Sequence, residues 1–103
     1  MSGILIDTNI LVYAYDVSEI NKYPIAKELI VNIWKNGGGV LCVQNLMEFF
    51  VVITRKVKSP IPIKIARTII DDISKSDSWS IIDRDIHTFL DAINIVSEYN
   101  LHI

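Results

Sequence analysis

The chain has 103 residues, half of them hydrophobic, and a formal net charge of −2. That length fits one small domain with a single core, and the apolar content excludes a disordered chain. The charge excludes a strongly basic nucleic-acid coat but leaves room for a local basic patch, and the single cysteine, Cys42, excludes an intrachain disulfide and a cysteine zinc cage.

The first residues carry no basic leader region, and Asp7 interrupts the opening apolar run. No stretch reaches the roughly 18 apolar residues that a membrane helix needs. A soluble, cytoplasmic protein is expected. Cys42 lies in an apolar run and is expected as a buried thiol, which suits a reducing compartment.

In chain order, residues 4–6 are all apolar and stop at turn chemistry, which predicts a short buried strand. A helix is expected over 8–16, with Asp7 or Thr8 as N-cap. The segment "VSEINKYP" reads as a loop ending at Pro24. Ala26, Leu29, Ile30, Ile33 and Trp34 then form one helical stripe, stopped by the glycines of "NGGG" at 36–39.

"VLCV" at 40–43 predicts a second buried strand. Gln44 or Asn45 is placed to cap a third helix, striped by Leu46, Phe49, Phe50 and Ile53. Arg55, Lys56 and Lys58 crowd its end. Pro60 and Pro62 mark the next boundary, and Pro62 suits the first turn of a helix whose face is Ile65, Ala66, Ile69, Ile70 and Ile73. "SKSDS" is a turn, and "WSII" at 79–82 is a third strand. Ile86, Phe89, Leu90, Ile93 and Val96 predict a last helix over 84–99.

Buried strands alternating with helices imply an α/β fold: a parallel sheet, right-handed crossovers and helices on both faces, three layers in all. There is no repeat, low-complexity segment or linker, so residues 1–103 are expected to form one domain.

In such sheets ligands bind beyond the carboxyl ends of the strands. Asp7 falls at the end of the first strand. Glu48, expected in the first turn of the helix after the second strand, rises on the same edge. Two carboxylates brought together raise a pKa or recruit a cation. Mg²⁺ takes oxygen ligands and supports hydrolysis of phosphate esters. Each acid also has a plainer interpretation. Asp7 and Asn9 suit any turn or helix start. Asn45 and Glu48 stand at a spacing resembling a capping box. Thr8 and Asn9 fit local turn groups, and Arg55, Lys56 and Lys58 complement a helix C-terminus or bind phosphate. Asp71 and Asp72 read as a solvated face, Asp83 and Asp85 as caps, and Asp91 as solvent-facing. Trp79, Tyr13 and Tyr15 read as core or interface, and His87 and His102 point to no chemistry.

Two stretches together resemble a known family. "ILIDTNILVYAYD" resembles the opening of PIN-domain proteins, and "CVQNLMEFFVVITRKV" resembles their second motif, with a Glu early in the third helix. The nearest likeness is to the VapC-like toxins of prokaryotic toxin–antitoxin pairs. The resemblance implies a parallel sheet with flanking helices and Mg²⁺- or Mn²⁺-dependent cleavage of RNA. It assigns Asp7 and Glu48 to a catalytic, metal-binding acidic cluster and gives Thr8 and Asn9 supporting roles. It also implies homodimers and silencing by an antitoxin protein. Family members usually supply a third acid on a helix that would follow "EYNLHI". Asp91-Ala92 resembles that motif but lies too early. The expectation is therefore an incomplete PIN-like domain, its C-terminal part missing and its first strand left as an open, apolar edge.

Two other function classes stand beside the nuclease. One is a catalytically inactive PIN remnant acting as a protein-interaction module or dimer. The other is a phosphoacceptor, either a response-regulator receiver or a haloacid-dehalogenase-like hydrolase. The first strand ends in a single acid, against the receiver's acidic pair. Asn9 stands where Asp-x-Asp needs its second acid, which argues against the hydrolase.

Overall fold

The computed structural model describes residues 3–82. They form, in order, β1 (Ile4–Leu5), α1 (Thr8–Tyr13), α2 (Lys22–Asn36), β2 (Gly39–Cys42), α3 (Val43–Arg55), α4 (Ile63–Lys75) and β3 (Trp79–Ile82). The helix expected over 84–99, with Asp83, Asp85, His87, Asp91 and His102, lies outside the described residues.

The three strands make one parallel sheet in the order β1-β2-β3, so the mixed α/β class and the parallel sheet are as expected. Ile4 pairs with Gly39 and Leu5 with Val40. The Ile6 N–H still donates to the Val40 carbonyl at 2.9 Å, so β1 guides the chain along β2 up to Asp7. Among the described residues β1 has one neighbour, and Ile4 and Leu5 remain 47% and 69% exposed.

The helices pack in the succession α2–α1–α3–α4, with α3 also against β2 and α4 against β3. The core between them is built from the predicted stripes. Leu11, Ile33, Leu41, Phe49, Ile53 and Ile73 are fully buried. Tyr15 meets Phe49 edge-on at 5.6 Å, and Trp34 meets Trp79 edge-on at 5.9 Å. Tyr15 and Trp79 are thus packing residues, as expected, and Cys42 is a buried free thiol.

Several boundaries differ from the sequence expectation, each for a local reason. Helix α1 stops at Tyr13 rather than 16. Asp16 accepts hydrogen bonds from the Ser18 N–H at 3.1 Å and the Ser18 hydroxyl at 2.5 Å, a local turn that competes with helix continuation. Helix α2 starts before Pro24, at Lys22. A proline in the first turn sacrifices an N–H that has no partner inside the helix anyway. Strand β2 is one residue earlier than 40–43, because Gly39 already pairs with both Ile4 and Trp79. A Cβ on Gly39 would lie 2.6 Å from an Ile33 methyl and closer still to the Trp79 ring, so only glycine fits there. Gly37 closes α2 with φ at 80°, its N–H donating to Ile33 at 2.7 Å.

Candidate functional site

Asp7 is the N-cap residue of α1, in extended conformation with φ −72° and ψ 148°. Its carbonyl accepts from the N–H groups of Ile10 and Leu11 at 3.1 and 3.2 Å. Its carboxylate makes no cap bond and is exposed. A turn aspartate normally spends its carboxylate on the first helical N–H groups; here that carboxylate is left over.

Glu48 differs in place from the expectation. Helix α3 begins at Val43, so Glu48 lies in its second turn rather than its first. The capping role also goes elsewhere. The N-cap is Cys42, and the Asn45 side-chain oxygen accepts the Cys42 backbone N–H at 3.0 Å. That is the back-reaching half of a capping box, made from Cys42 and Asn45 instead of Asn45 and Glu48. Glu48 is exposed on α3 and, among the described residues, makes no ion pair or hydrogen bond.

The two motif helices are tied by one side-chain bond. Asn45 Nδ2 donates to Thr8 Oγ1 at 2.9 Å. Thr8 is buried at 8% exposure, so this bond fixes the first turn of α1 against the first turn of α3. Thr8 therefore supports the site from inside the packing, whereas Asn9, its neighbour, is exposed.

Asn9 opens onto a polar hollow of about 430 Å³, also lined by Tyr13, Asp16, Glu19, Lys56 and Lys58. Glu48 borders a second hollow, and the walls of both include Val52 and Lys56. Asn9 and Glu48 thus border adjoining hollows that meet at Val52 and Lys56. Of the three basic residues at the end of α3, Lys56 and Lys58 join this hollow; Arg55 does not line it. Tyr13 is engaged from its far side. Lys22 Nζ donates to its hydroxyl at 3.2 Å and stands 4.7 Å from the ring centroid. That hydrogen bond holds the Lys22 ammonium above its ordinary value of 10.5.

Asp16 and Asn45 carry structural weight that the motif pattern did not assign to them. Asp16 is only 4% exposed. Its signal was the Asp-x-Ser spacing of a side-chain-closed turn. Nothing in the sequence marks Asn45 as the tie to Thr8, because the partner is 37 residues away.

As a metal centre, the described residues offer two exposed carboxylates, Asp7 and Glu48, with no competing cationic partner. No three His, Cys, Asp or Glu side chains among the described residues cluster as a metal-holding group. Mg²⁺ takes oxygen ligands and is commonly held by only one or two carboxylates with several waters, which is the donor chemistry that each of these exposed acids offers. No protein-family model and no curated protein matches this chain.

Proposed function

We propose that the chain is a PIN-type, metal-dependent endoribonuclease that hydrolyses RNA phosphodiester bonds, acting as the toxin of a toxin–antitoxin pair in the cytoplasm. The three-layer α/β/α arrangement, homodimer formation and the antitoxin partner belong to the same proposal. The observation that carries it is the unspent carboxylate of Asp7 at the carboxyl edge of β1, next to the helix that bears Glu48.

Asp7 and Glu48 would hold Mg²⁺ or Mn²⁺. A bound cation supplies charge neutralisation at the phosphate and a more acidic water. Thr8 and Asn45 fix the two helices in register. Lys56 and Lys58 draw the RNA backbone toward the same stretch of α3, and Arg55 adds to the positive charge at that helix end.

A Mn²⁺-dependent RNA cleavage assay tests this. Mn²⁺-dependent cleavage should be lost in Asp7→Asn and in Glu48→Gln, and chelation should abolish it. Parent-like cleavage by Asp7→Asn would remove the metal-site assignment.

One feature favours a second function, a non-catalytic association module. Exposed Ile4 and Leu5 on β1 and exposed Val43, Met47 and Val51 on α3 leave apolar surface without a partner among the described residues. Metal-independent self-association without RNA cleavage would favour that function.

A further inference from the structure

The hollow beside Asn9 carries opposite charges on opposite walls. Lys56 and Lys58 come from the end of α3 and the segment after it, and Asp16 and Glu19 from the turn between α1 and α2. Among the described residues these charges form no ion pair with one another; the sole ion pair is Lys75–Asp71, on α4. The volume, about 430 Å³, falls within the range of small-molecule sites, roughly 300–1,000 Å³.

The acids differ in what they have left to give. Asp16 is buried, and its Oδ1 already accepts both bonds from Ser18. Glu19 is half-buried, and its carboxylate accepts no hydrogen bond from a described residue. Its own N–H donates to the Asp16 carbonyl at 3.1 Å, so the backbone beneath it is fixed. A carboxylate with two open oxygens on an anchored backbone matches two adjacent N–H donors. Among the four RNA bases only guanine presents such a pair, N1–H beside the N2 amino group. Adenine and cytosine place an acceptor beside their amino group, and uracil flanks its one N–H with carbonyls.

We propose that this hollow is a guanine-nucleotide subsite of the RNA-binding surface: Glu19 reads the N1/N2 edge of an unstacked guanine, and Lys56 and Lys58 bind that nucleotide's phosphate. Asp16 holds the turn from which Glu19 projects. Sequence-specific recognition of single-stranded RNA reads splayed-out bases on this edge. Because Lys56 also borders the hollow at Glu48, the subsite lies alongside the proposed metal site and fixes which nucleotide sits next to it. The subsite rests on the nuclease function for its biological setting but not for its chemistry.

The test is binding of 5′-GMP, 5′-AMP, 5′-CMP and 5′-UMP to the full chain without metal, followed by amide chemical shifts. GMP should bind tightest, with shifts centred on Asn9, Glu19 and Lys58. Glu19→Gln should weaken GMP about tenfold and leave the other three nearly unchanged. Lys56→Gln combined with Lys58→Gln should weaken all four alike. Lys75→Gln, which removes the same charge from α4, should weaken none. Equal affinity for all four nucleotides, or an equal loss for all four in Glu19→Gln, overturns the subsite, as does absence of binding by the folded parent. A guanine preference that disappears in Glu19→Gln sustains it even where Asp7→Asn leaves RNA cleavage intact, an outcome that removes the nuclease function alone.

Discussion

The bond from Asn45 to Thr8 is the test of how the two motif helices are held. Replacing Asn45 by Ala removes the acceptor for the Cys42 N–H and the donor to Thr8 Oγ1 together. Loss of a helix cap of this kind costs about 1 kcal/mol. A buried hydroxyl left without a partner adds a cost of about 1–3 kcal/mol. The expected loss is about 2–4 kcal/mol, read as a shift of roughly 1–3 M in the urea midpoint for a chain of this size. Thr8→Val deletes only the acceptor on α1, in a residue of similar shape, and should cost about 1–2 kcal/mol. The discriminating quantity is the coupling in a double-mutant cycle of Asn45→Ala with Thr8→Val, expected near 1 kcal/mol. Thr8→Ser retains the hydroxyl and should restore most of the coupling. A coupling below about 0.3 kcal/mol would show that Asn45 caps α3 without holding α1, and the tie between the motifs would be lost from the account.

Other expectations follow from single contacts. Gly39→Ala should destabilise by about 1–3 kcal/mol, because its Cβ meets Ile33 and Trp79 side chains. Gly38→Ala meets open space but keeps φ near +88°, so it should cost about 1–2 kcal/mol through the backbone alone; thermal unfolding of the pair separates crowding from strain. Burial holds the Tyr15 phenol above its ordinary value of 10.0. Its contribution to stability is therefore complete below pH 10.0 and is lost as pH rises through the higher folded-state value. Tyr15→Phe should flatten that alkaline loss, measured by urea unfolding across the same pH range. Asp7→Ala should change stability by no more than about 0.5 kcal/mol, since its carboxylate makes no cap bond; a loss near 1 kcal/mol in chemical denaturation would assign Asp7 to capping after all.

Much of the fold was legible because its signals are periodic. The stripes through Ile30 and Ile33, through Phe49 and Ile53, and through Ala66 and Ile73 all become buried faces. The glycines after α2 and the "WSII" strand also fall where local chemistry puts them. What was not legible depends on partners distant in sequence. The position of Gly39 inside β2 is set by Trp79 and Ile33 rather than by its own neighbours. The early end of α1 is set by an Asp16 side chain that folds back on Ser18. The sequence pattern placed Asp7 and Glu48 on one edge, but Glu48 lies a turn further along α3 than expected, and how the two helices are tied was not legible. Asn45, Thr8 and Asp16 meet partners that neither spacing nor periodicity reveals.

An aspartate that caps and an aspartate that binds a cation are the same letter at the same place after a strand. They differ in what the carboxylate touches. In this chain capping and tying are carried by Asn45, whose oxygen serves α3 and whose nitrogen serves Thr8 of α1. Asp7 contributes only its backbone carbonyl to α1, and Glu48 contributes only a place on the outer face of α3. Structural support is thereby carried by groups that make internal hydrogen bonds, and Asp7 and Glu48 are left out of it. Exposed carboxylates keep their hydration and accept a hydrated cation without first breaking an internal salt bridge. The same division recurs in the adjoining hollow, where Asp16 is spent on Ser18 and Glu19 is not. Among the described residues, Asp7 and Glu48 are thus left without a structural bond at the start of α1 and on α3, and those are the groups that the proposed metal site uses.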